Sequence, residues 1–136
     1  MRQMILLGAM LLTPAVLPAQ NAAPSCEGRV ATVRVSAVKP TGSVEGFLAA
    51  VAAHKAWYAA KGLTVDEIFA TRIIVRDDKT RERSYSTKEL MTFHIHGSTA
   101  AGPAHDEGYD AFVKLYRDNS DIKSEYNICM PDSSKR

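Results

Sequence analysis

Leu90-Met91-Thr92-Phe93-His94-Ile95-His96-Gly97 is the stretch that decides the fold. Side chains along a strand alternate from face to face, so Met91, Phe93 and Ile95 fall on one side and Thr92, His94 and His96 on the other. One side is apolar. The other carries chemistry.

Working back from this strand, Arg81–Lys88 reads as a charged hairpin arm entered through the turn Asp77-Asp78-Lys79-Thr80. Leu63–Arg76 has strand character, with Ile68, Ala70 and Ile74 facing one way and Phe69, Thr71, Ile73 and Val75 the other. Both sets are partly apolar, so packing on both faces is expected. Before it, Ser43 is an N-cap and Gly62 a C-terminal stop for a helix. Val44, Phe47, Leu48, Val51, Tyr58 and Ala59 form its apolar stripe. Val30–Val38 is a β-branched, alternating strand that ends at Lys39-Pro40-Thr41-Gly42.

Working forward, Gly97–Pro103 is a loop of small residues, and a helix from Asp106 to Asn119 aligns Tyr109, Phe112, Val113 and Tyr116. Ile122–Met130 alternates as a last strand. The order is β-α-β-β-α-β, an α+β chain of ferredoxin-like type: a four-stranded antiparallel sheet with two helices on one face. In that topology the first strand lies between the third and the fourth, which runs antiparallel to it.

The ends of the chain give a cellular address. Met1–Gln20 has a positive Arg2, the short apolar run Met4–Leu12 and a polar, small-residue end, the pattern of a secretory signal too short to span a bilayer. Residues 21–29 are then a lead-in, 30–131 the folded domain, and Asp132–Arg136 a disordered tail. A periplasmic or secreted protein is expected, with no membrane attachment after cleavage. The formal charge is +2, and loss of Arg2 lowers it by one, which argues against a nucleic-acid partner held by bulk charge.

The only two cysteines, Cys26 and Cys129, lie near the ends of the mature chain. They are either two buried thiols or, in an oxidising compartment, one disulfide. The topology favours the disulfide, because it sets the start of the first strand beside the end of the fourth.

With this element order, the chain over Val30–Pro131 resembles the dimeric α+β-barrel superfamily, and within it proteins like the antibiotic-biosynthesis monooxygenases. The resemblance rests on element order, element length and the exported single-domain format. It implies a homodimer in which two sheets face each other as a barrel with the helices outside. It carries no catalytic motif to any position here.

The candidate site therefore comes from the residues. If Ala31, Val33, Val35, Met91, Phe93 and Ile95 face the helices, then Thr32, Arg34, Ser36, Thr92, His94 and His96 share the opposite, dimer-facing side, joined by Glu125 and Asn127 of the last strand. His94 or His96 would serve as base and Arg34 as anchor for a carboxylate or enolate oxygen. The bland alternative is a self-satisfied polar interface. His54, Trp57 and Tyr58 on the first helix would line a substrate pocket or simply form its polar edge. Lys55 sits near the centre of the stripe and is expected to extend its ammonium past the helix edge.

His94-x-His96 also has metal-ligand spacing, with His105 as a third nitrogen for zinc or copper. Flavin, nicotinamide and phosphate-loop fingerprints are absent. The expected function is a cofactor-independent enzyme of monooxygenase, isomerase or lyase type acting by proton abstraction on a small, partly aromatic or oxygenated molecule. The alternatives are a haem-, zinc- or copper-binding protein and a non-catalytic ligand-binding or stress protein.

Overall fold

A computed structural model describes residues 25–97 and 102–131. The expected signal segment Met1–Gln20 and the expected tail Asp132–Arg136 lie outside the described residues. The element order is β1 (Arg29–Val38), α1 (Val44–Ala60), β2 (Glu67–Arg76), β3 (Arg83–Ile95), α2 (Glu107–Asn119) and β4 (Ser120–Met130). The strands form one sheet in the order β2-β3-β1-β4, each neighbouring pair antiparallel. This is the ferredoxin-like α+β arrangement, an open sheet with β2 and β4 at its edges.

Local chemistry sets the element ends. Ser43 caps α1 by accepting from the Gly46 N–H at 2.9 Å, and Asp106 caps α2 by accepting from the Tyr109 N–H at 3.0 Å. Gly62, at φ 78°, ends the first helix in the left-handed region that glycine adopts without strain. The hairpin arm and the central strand are one continuous strand, β3, and β2 begins at Glu67, four residues later than its apolar content suggests. Leu63–Asp66 is instead a turn-rich connection into the sheet.

Cys26 and Cys129 form a disulfide with Cα atoms 5.5 Å apart, closing the β1–β4 edge. At the same end of the sheet Arg29 reaches from β1 to the start of β2 through its ion pair with Glu67 and a 3.1 Å hydrogen bond to the Val65 carbonyl.

The decisive departure from expectation is which face the helices cover. Register places Ser36 opposite Leu90, Arg34 opposite Thr92 and Thr32 opposite His94, with Ile68 on the far side of His94. Leu90 and Ile68 pack with Phe47 and Val51 of α1 in the core, so the helices cover the face that carries Thr32, Arg34, Ser36, Thr92, His94 and His96. The apolar set of Val33, Val35, Met91 and Phe93 lies on the uncovered face, where Phe93 stacks on Phe69 at 5.1 Å. Phe69, Tyr126 and Ile128 on that face are 42%, 56% and 40% exposed. β2 accordingly packs on one face through Ile68, while Phe69, Ile74 and Val75 are exposed.

The stripe of α1 is also rotated from the expected one. Phe47, Ala50, Val51, His54 and Trp57 are buried, whereas Leu48, Lys55 and Ala59 are exposed. His54 thus stands in the middle of the packed face rather than at its border.

Candidate active site in the helix–sheet cleft

A cleft of about 510 Å³ opens between the helices and the polar face of the sheet. Thr32, Arg34 and Ser36 from β1, Thr92 and His94 from β3 and His96 directly after it form its floor, and Tyr58, Tyr109, Phe112 and Tyr116 are in its walls. Aromatic side chains of this kind give an apolar wall with polar tips. At one end Lys39, held by the Arg117 carbonyl at 2.5 Å and by Asp121 at 3.3 Å, closes the space.

His94 is the centre of the floor. Its Nε2 donates to Oδ2 of Asp66 at 2.9 Å, and these side chains are 7% and 6% exposed. The second carboxylate oxygen of Asp66 accepts from the Gly97 N–H at 2.9 Å, which fixes the carboxylate's orientation. Since an ionised carboxylate only accepts, the pair places the His94 proton on Nε2. Burial pushes the His94 imidazole below its ordinary value against the upward pull of its Asp66 hydrogen bond, and His96 and Arg34 push it further down. Burial pushes Asp66 up, but the hydrogen bonds from His94 and Gly97 outweigh it and hold the carboxyl below the usual range.

His96 lies beside His94, ring centroids 4.2 Å apart, and its Nε2 is 3.1 Å from Thr32 Oγ1. Thr32 in turn donates to Asn127 Oδ1 at 2.9 Å. Arg34 Nε donates to Glu125 at 2.6 Å, and among the described residues no other nitrogen of this guanidinium is engaged. Glu125 and Asn127 of β4 therefore hold Arg34 and Thr32 in place from beside the cleft.

The cleft wall carries a further imidazole. His54 stacks on Phe112 at 4.4 Å, meets the edge of His94 at 5.3 Å and lies 3.4 Å from the Tyr116 hydroxyl. Burial first, then His94 and Arg34, push it down to about 3, so it is a neutral packing group at ordinary pH. Burial raises Tyr58 and Tyr116, which keeps both hydroxyls protonated.

Two candidate residues belong elsewhere. Trp57 is not in the cleft lining: its Nε1 donates to Asp106 at 2.7 Å, tying α1 to the start of α2, where Lys61 meets the same carboxylate at 2.5 Å. His105 stacks on Tyr109 at 3.5 Å and is not part of the histidine pair's cluster. The third group there is Asp66: one ligand atom from each of Asp66, His94 and His96 lies within 4.8 Å of the others.

Asp66 is the functional residue that the sequence pattern concealed. It lies 28 residues from His94 and just outside β2, so only the β2–β3 register, with Ile68 opposite His94, brings it to the site.

Compared with protein-family models, curated proteins and solved structures, the chain matches none of them. Fold and site define a class: a ferredoxin-like α+β protein with a polar, histidine-containing cleft between helices and sheet.

Proposed function

We propose that the cleft is the active site of an exported small-molecule enzyme that works by proton transfer. The observation that carries this is the buried His94–Asp66 pair on the floor of a cleft large enough for a small organic molecule, with Arg34 beside it. Asp66 orients the ring and stabilises its charge once it accepts a proton on Nδ1. The unengaged end of the Arg34 guanidinium holds the substrate oxygen that gains negative charge. His96, Thr32 and Asn127 keep the floor rigid. Tyr58, Tyr109 and Phe112 favour a flat, partly aromatic or oxygenated substrate.

Proton abstraction leaves an isotopic record even when its product is unknown. Incubating the protein in D2O with a panel of aromatic ketones, phenols and lactones, with mass readout, should show deuterium uptake by at least one member. His94→Gln should slow this by about a hundredfold or more. Uptake indifferent to His94 would refute the assignment.

Export and dimerisation belong to the same proposal. The disulfide suits an oxidising compartment, and no helix among the described residues is long and apolar enough to cross a membrane. We assign a second copy of the chain to the uncovered face, because Phe69, Tyr126 and Ile128 stay 42%, 56% and 40% exposed there beside Met91 and Phe93, an apolar surface that a copy of itself complements. Light scattering should give twice the chain mass, and Phe69→Asp should give the monomer; a wild-type monomer at micromolar concentration would overturn it.

A further inference from the structure

We propose that Asp66, His94 and His96 bind a divalent first-row transition-metal ion on the floor of the cleft. The proposal goes beyond proton transfer and does not depend on it.

The donor set is the first ground. Two imidazoles and one carboxylate bind borderline ions of the zinc, cobalt, iron(II) and copper(II) group, whereas calcium and magnesium take oxygen donors. No thiolate competes, since both cysteines are in the disulfide. The spacing is the second ground. His94 Nε2 and Asp66 Oδ2 are 2.9 Å apart, the separation of two neighbouring donors on one ion at about 2.1 Å from each. The ligand atoms of all three residues lie within 4.8 Å of one another, so a side-chain adjustment of at most about 1.4 Å brings the third into the roughly 3.4 Å spacing of a tetrahedral set.

The surroundings are those of a metal site as well. Gly97 N–H holds the distal oxygen of Asp66 at 2.9 Å, and Thr32, itself fixed by Asn127, holds the His96 ring at 3.1 Å. Such outer contacts orient ligands and raise affinity. Two of the three side chains, Asp66 and His94, are almost fully buried, and the cluster is anchored at one end of the paired strands β2 and β3, with His94 inside β3, His96 directly after it and Asp66 directly before β2.

Three protein donors leave at least one coordination position, which faces the cleft; structural sites are instead closed by four. An ion here replaces the proton between His94 and Asp66. His94 then no longer acts as a base, and the open position takes a substrate oxygen and polarises the bond beside it. Ion-free and ion-loaded chains thus differ in how they draw a proton from the same bound molecule.

The test uses the full exported protein with its disulfide intact, stripped with EDTA and titrated with Co(II) alone, then with Zn(II) alone. The expected result is one Co(II) per chain, with visible absorption of a low-coordinate nitrogen and oxygen site, displaced mole for mole by Zn(II). Asp66→Asn and His96→Gln should each weaken Co(II) binding by about a hundredfold, and Thr32→Val by about tenfold. His105→Ala should leave it unchanged. Should Asp66→Asn fail to fold by circular dichroism, His96→Gln decides, since His96 has no charged partner. Absent stoichiometric binding, binding that survives both ligand substitutions, or binding lost in His105→Ala would each overturn the site. Because no substrate is present, such a failure leaves the proton-transfer assignment standing.

Discussion

The two faces of the sheet are built from alternate residues of the same strands and have opposite fates. The face with Thr32, Arg34, Ser36, Thr92, His94 and His96 lies under two helices, and the face with Phe69, Phe93, Tyr126 and Ile128 lies open. Burying the polar face is the costlier choice, since each buried polar group must find a partner. Among the described residues no buried side-chain nitrogen or oxygen lacks one. The proposed proton transfer rests on the first surface and the proposed association on the second.

Four perturbations break or sharpen this contrast. The largest weakens both faces alike: replacing Cys26 and Cys129 by serine opens a covalent link between residues 103 apart and should cost about 4–5 kcal/mol in urea denaturation. A loss below about 1 kcal/mol would mean that the sheet holds its β1–β4 edge without it.

Next is acid. His54 has an ordinary value of 6.5 and about 3 when folded, so its contribution is fully present above pH 6.5 and drains away as pH falls toward 3. In EDTA-treated protein this should lower stability by up to about 4 kcal/mol across that window, and His54→Phe, which keeps the stack on Phe112, should flatten the slope. An unchanged slope in His54→Phe would place His54 outside the buried layer.

A smaller effect separates the faces directly. Asp66→Ala leaves His94 without its partner and should cost about 2–3 kcal/mol by chemical denaturation, with loss of the isotope exchange proposed for His94. The smallest effect is on the other side. Phe69→Thr with Tyr126→Thr should change the stability of the isolated chain by only about 0.5 kcal/mol per site, because both are half exposed, yet it should shift the light-scattering mass toward the monomer. A loss of several kcal/mol in the monomer would show that the face is covered within the chain.

Much of this architecture is legible in the sequence because its signals are local. Alternation in Leu90–Ile95 separates the two side-chain sets correctly, and the cap at Ser43 and the spacing of Tyr109, Phe112, Val113 and Tyr116 place the two helices. Alternation cannot say which set meets the helices. The expectation that the apolar set does so fails because α1 and α2 present His54, Tyr58 and Tyr116, whose polar groups suit a polar floor. Arg34, Glu125, Thr32 and Asn127 come together through strand register alone. Asp66 was hidden because its value depends on a long-range pairing, and Trp57 was misplaced because its partner, Asp106, is 49 residues away.

Nitrogen-15 NMR of the histidine side chains, followed from pH 7.5 to 5 in the ion-free protein, tests most directly that the histidine-bearing face is the covered one. His94 should hold its proton on Nε2 and titrate below its ordinary value, and that signature should collapse in Asp66→Asn. A His94 that titrates near 6.5 with interchanging tautomers, like a solvated imidazole, would contradict the assignment of the faces and with it the site.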